Sequence, residues 1–143
     1  MKSVVYCCLL FSVFTTGCST STLDTAPDCF QAVFHHPLPV TAHNLRAEGH
    51  YYDDTQAVWL RFNISKPALL AIIQTNPHYI SRQWFINAAT APTSPAWWKP
   101  LRGNPKFFIR STKLHNDEIG GGAGYIAYDP TAQVAYVYSF GAE

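Results

Sequence analysis

Charge is what this sequence has least of. Charged residues make up 13% of its 143 residues, about half the usual share. Ten Lys and Arg stand against nine Asp and Glu, a net charge of +1. No basic stripe forms, so nucleic acid is excluded as an expected partner. No internal repeat and no Gly-x-Ser-x-Gly motif occur, and no apolar run reaches the roughly 18 residues of a membrane-spanning helix. Cysteine is scarce beyond the first residues. Cys7, Cys8 and Cys18 fall early, leaving Cys29 on its own. One thiol cannot close an internal disulfide, so Cys29 is buried, free, or paired with another chain. No basic residue beside it in sequence lowers its pKa, which argues against nucleophilic use.

Apolar residues are plentiful. They make up 48% of the chain, and aromatics 15%, enough to give one domain a sizeable core and to exclude disorder of the main body.

The organising stretch is Ala57-Val58-Trp59-Leu60-Arg61-Phe62-Asn63-Ile64. Val58, Leu60, Phe62 and Ile64 alternate with Trp59, Arg61 and Asn63, the period of a strand with one buried face. Ser65-Lys66-Pro67 follows, then Leu69, Leu70, Ile72 and Ile73 at helical spacing. Ser65 suits a helix cap, Pro67 its first turn, and Asn76-Pro77 its end. Leu60, Phe62, Leu69 and Ile73 are the expected core.

The N-terminus reads as a targeting segment. Met1-Lys2 is a positive start, and Val4 to Phe14 is an apolar run of eleven residues, the length of a signal-peptide core. Thr15-Thr16-Gly17-Cys18 closes it. This ending resembles the lipobox of bacterial lipoproteins, departing from that family at Thr15, where leucine is usual. The resemblance covers residues 1–18. It implies cleavage before Cys18, lipid on the sulfur and amine of Cys18, and a membrane anchor. Ser19, where inner-membrane lipoproteins carry aspartate, implies the outer membrane and its periplasmic face. The expected organisation is a signal peptide over 1–17, a lipidated N-terminus and Ser/Thr-rich tether over 18–29, and a single domain over 30–143. Without Lys2 the mature chain has nine basic and nine acidic residues and is neutral.

Further along, Glu48 to Tyr52 suggests a short strand, and Asp53-Asp54-Thr55 a turn. Tyr79 to Ile86 fits helix or strand. Ala88 to Pro105 reads as a long proline-rich loop, a candidate working loop or lid, and Lys106 to Arg110 as a strand. Tyr125 to Tyr128 and Val134 to Phe140 alternate across Asp129-Pro130-Thr131-Ala132-Gln133, the strongest hairpin signal in the chain. The expected fold is α+β, an antiparallel sheet of about four to five strands with one main helix packed on one face.

Four histidines fall between His35 and His50, with Asp53 and Asp54 behind them. His36, His43, His50 and Asp53 are the candidate metal ligands, but their spacing puts no pair four apart on a helix. Gly120 to Gly124 precedes a strand rather than a helix, which argues against a phosphate loop. The carboxylate pairs Asp53-Asp54 and Asp117-Glu118 sit on adjacent residues, which diverge, whereas acid–base work needs convergence. The row Tyr125, Tyr128, Tyr136 and Tyr138 suggests cross-strand aromatic pairing.

Pro95-Ala96-Trp97-Trp98-Lys99-Pro100 is the most informative motif. Neighbouring side chains diverge in an extended segment. One tryptophan is therefore expected to lid the core, the other to meet a partner protein or glycan. Trp97 and Trp98 are the candidate partner-binding residues. The expected function is a lipid-anchored binding or accessory module, not an enzyme, with no cofactor and an envelope partner. An immunity-type inhibitor is the alternative within binding proteins. A metal-binding protein or hydrolase using the His35–Asp54 segment is the alternative outside them.

Overall fold

Thr25 opens the fold. Its Oγ accepts the Asp28 backbone N–H at 3.3 Å, and Pro27 sits in the first turn of helix α1, Ala26–Phe34, where a missing N–H costs nothing. His35 ends it in the left-handed region at φ 55°, donating its N–H to the Gln31 carbonyl at 2.8 Å. Helix α1 thus starts four residues before Phe30, the expected start of the domain. These features come from a computed structural model that describes residues 25–52, 55–73, 78–89, 94–111 and 122–142.

After α1 come β1 (His43–Tyr52), β2 (Thr55–Asn63), helix α2 (Lys66–Ile73), β3 (His78–Tyr79), helix α3 (Arg82–Ala89), β4 (Phe107–Ser111), β5 (Ala123–Asp129) and β6 (Val134–Ala142). The strands form one antiparallel sheet in the order β1-β2-β6-β5-β4-β3. The α+β class and antiparallel pairing match the sequence reading. Among the described residues the sheet has six strands rather than four to five, and there are three helices rather than one. The extra strand is β3, too short at two residues to leave a period.

The two faces of the sheet carry separate cores. On the first, Val58, Leu60, Phe62 and Ile64 of β2 meet Cys29, Phe30, Val33 and Phe34 of α1, and Leu69 and Ile73 of α2. Phe30 and Phe34 stack at 4.5 Å, and Phe62 meets them edge-on at 5.3 and 6.0 Å, a favoured aromatic geometry. Ser65 Oγ accepts the Ala68 N–H at 3.4 Å at the start of α2. Leu60, Phe62, Leu69 and Ile73 are all buried, as the periodicity requires.

The second face departs from the sequence reading. Trp59, placed there as the outward member of the alternation, is fully buried. It packs with Ala57, Tyr125, Ala127, Tyr136 and Tyr138 of the sheet, beneath Phe85 and Ala89 of α3 and Trp98 of the loop. Helices therefore cover both faces, not one. The uninterrupted run Ala57 to Leu60 is the residue signature of a strand buried on both sides.

Two polar ties fix the ends of the central strands. The Tyr128 hydroxyl donates to the Ile64 carbonyl at 3.0 Å, where β2 gives way to α2. Asp129 closes the β5–β6 hairpin. Its Oδ1 accepts the N–H groups of Thr131 at 2.9 Å and Ala132 at 3.1 Å, and its Oδ2 that of Asn104 at 2.8 Å. One carboxylate thus holds both the hairpin and the incoming proline-rich loop. A Cβ at Gly103 would come within 3.2 Å of Asp129 Oδ2, so glycine there permits the approach. The three N–H groups stabilise the anion and hold the Asp129 carboxyl below the usual carboxylate range, those of Ala132 and Asn104 foremost.

Candidate functional site

The proline-rich loop folds back onto the sheet and divides its two tryptophans. Pro95 and Pro100 are buried, and the Trp98 backbone N–H donates to the Pro95 carbonyl at 2.9 Å. Trp98 is 3% exposed. Its indole N–H donates to the Ala89 carbonyl at the end of α3, 3.3 Å away, and its ring meets Tyr136 edge-on at 5.8 Å. Trp98 is a core lid. Trp97 is only partly buried and stands perpendicular to Trp98 at 6.2 Å. The sequence motif brought both forward as partner-binding residues, and the fold leaves Trp97 alone accessible.

Trp97 is held by a carboxylate on the edge strand. Its indole N–H donates to Glu48 Oε2 at 3.3 Å, while Glu48 Oε1 lies 2.9 Å from His50 Nε2. Glu48 and His50 alternate along β1 and share the face of their cross-strand neighbours Trp59 and Ala57. The Glu48 side chain is 39% exposed and that of His50 23%. Their pairing is a surface contact, worth about 0–1 kcal/mol. Its larger role is geometric, since it leaves the Trp97 indole no free choice of orientation.

Behind this corner runs a row of rings across the sheet. His50 meets Trp59 edge-on at 5.8 Å, Trp59 stacks on Tyr138 at 5.4 Å, Tyr138 on Tyr125 at 6.4 Å, and Tyr125 meets Trp84 of α3 at 6.1 Å. Tyr125 and Tyr138 are direct cross-strand partners, which accounts for two of the four tyrosines of the row, while Tyr136 stands opposite Ala127. Tyr128 leaves it for the opposite face. Burial, with a smaller contribution from Tyr125, pushes the Tyr138 hydroxyl up, so that hydroxyl stays neutral near neutral pH.

The metal expectation does not assemble. His35 caps α1, His36 and His43 are exposed, and His50 is engaged with Glu48. Among the described residues no group of three His, Cys, Asp or Glu side chains could hold a metal ion. Asp53 and Asp54, and also Cys18, lie outside the described residues. Cys29 is buried in the first core at 1% exposure. Burial, with Asp28 adding to it, pushes its thiol up to about 11, so it is a packing group rather than a nucleophile.

Sequence reasoning missed Glu48 and Trp84 as members of this surface and Trp59 as part of the core behind it. Beyond His50 two residues on, the partners of Glu48 lie eleven and forty-nine residues away in register and contact, which leaves little local signal. No helix among the described residues is long and apolar enough to cross a membrane. No protein-family model, curated protein or solved structure matches this chain.

Proposed function

We propose that this protein is an outer-membrane lipoprotein, anchored through Cys18 on the periplasmic side, whose domain is a binding or accessory module for an envelope partner that it contacts through Trp97. The anchor rests on the likeness of Thr15-Thr16-Gly17-Cys18 to the lipobox and on Ser19 behind it. The binding role rests on one observation, the division of the paired tryptophans. Trp98 packs inward, while Trp97 keeps an accessible ring oriented by Glu48. A flat ring held in place loses little freedom on binding, which is how tryptophan comes to dominate interface energetics.

The short tether supports the same reading. Six residues, 19–24, and so seven peptide steps, separate the lipid-bearing cysteine from the cap of α1. Fully extended they reach about 25 Å, so the domain works close to the bilayer and meets partners held there. Cys18→Ser tests the anchor. Envelope fractionation should show the variant lost from the outer membrane as a precursor or soluble form, and Ser19→Asp should move the protein toward the inner membrane. A Cys18→Ser protein that fractionates like wild type would overturn the anchor.

A further inference from the structure

The other end of the ring row carries a cation that, among the described residues, has no counter-charge. Arg110 on β4 stands opposite Tyr125 on β5 and opposite His78 on β3, so the three share one face. Its guanidinium carbon lies 5.5 Å from the centre of the Trp84 ring, within cation–π range. Its Nε–H is buried and, among the described residues, has no hydrogen-bond partner. Among the described residues no carboxylate lies within ion-pair distance of it. Helix α3, which carries Trp84, has no acidic residue in its first turn. Trp84 is 46% exposed, one of three large apolar side chains left open to solvent.

A buried donor without an acceptor costs the full desolvation of that group, and native structures leave few of them. Arginine's fork of N–H groups matches the two oxygens of a carboxylate or phosphate. The Trp84 ring lies beside that fork. We propose that Arg110 and Trp84 form a binding site for an oxyanion, a carboxylate or phosphate, carried on an apolar group that lies against the exposed Trp84 ring. The oxyanion supplies the acceptor that Arg110 Nε–H lacks, and the apolar group covers the indole. The site lies at the β4 end of the face, away from the Trp97 corner on β1, and does not depend on the anchor or on the role of Trp97.

The test follows the Arg110 Nε–H resonance of the detergent-solubilised full chain by NMR during titration with benzoate, phenyl phosphate and inorganic phosphate. A saturable shift with benzoate or phenyl phosphate is expected, and whichever binds tighter identifies the carboxylate or phosphate source. Arg110→Lys keeps the charge, loses the fork, and should weaken binding tenfold or more, followed by tryptophan fluorescence. Trp84→Ala should weaken benzoate and phenyl phosphate several-fold and leave inorganic phosphate unchanged. An Arg110 Nε–H signal that none of the three anions moves in the wild-type chain would overturn the proposal. So would a Trp84→Ala variant that binds benzoate as wild type does.

Discussion

Glu48 and Trp97 are forty-nine residues apart in the chain and joined by a 3.3 Å hydrogen bond from the indole N–H to the carboxylate. The same carboxylate lies 2.9 Å from His50. A single acidic side chain on the edge strand thus orients both the histidine beside it and the loop above it. Glu48→Ala should free the Trp97 ring while leaving the core intact. The expected result is faster exchange of the Trp97 indole N–H and a stability loss of only about 1 kcal/mol. Glu48→Gln, which keeps an acceptor oxygen, should restore most of the protection.

The first core should be sensitive to single truncations. Phe62 touches both aromatic rings of α1 and is fully buried, so Phe62→Ala should cost about 3–5 kcal/mol in denaturant unfolding. Tyr128→Phe keeps the ring and removes only the hydroxyl that satisfies the Ile64 carbonyl. It should cost about 1–3 kcal/mol, the range for a buried polar group left unpaired. A Phe62→Ala protein that unfolds with wild-type midpoint would contradict the assignment of the buried face.

Asp129 predicts a pH dependence. Its carboxyl is held below its ordinary value by backbone N–H groups. A depressed carboxylate contributes stability that is fully present above the unfolded-state value, near about 4. That stability is lost as pH falls through the folded-state value. Asp129→Ala should therefore destabilise the protein by about 2 kcal/mol at pH 7 and flatten the decline of stability below pH 4. Urea unfolding at pH 7 and pH 3 checks both halves. A variant with the same acid limb as wild type would contradict the clamp.

Cys29 should be silent in the folded protein. Its thiol is 1% exposed and pushed up to about 11 by burial, so little thiolate forms near neutral pH. A thiol reagent should modify it only at the rate at which the domain opens, and at once in denaturant. Rapid labelling under native conditions would place Cys29 outside the core.

Strand β2, helix α2 and the β5–β6 hairpin were legible because each buries a face against near neighbours in sequence, and periodicity records that burial directly. Phe30, Val33 and Phe34 carry the same helical spacing, but a helix of nine residues beside two prolines gives a short signal, and α1 was read only as the start of the fold. The second core was not legible. Trp59 reads as outward-facing until α3 and Trp98 cover it, and that cover depends on contacts across the whole chain. The paired tryptophans were visible, and their division was expected. Which one turned inward was decided by the Ala89 carbonyl at the end of α3, the acceptor that Trp98 finds.

The central claim is that Trp97 serves a partner while Trp98 serves the fold, and the two alanine variants measured side by side test it most directly. Each would be assayed for melting temperature and for recovery of an envelope partner, expressed per folded protein. Trp98→Ala should lower the melting temperature by about 10 °C or more, from the loss of a buried ring, without changing recovery by the fraction that folds. Trp97→Ala should melt within about 3 °C of wild type, since the ring it removes is only partly buried, and should recover much less partner. Two variants equally destabilised, or a Trp97→Ala protein that recovers partner as wild type does, would contradict the account.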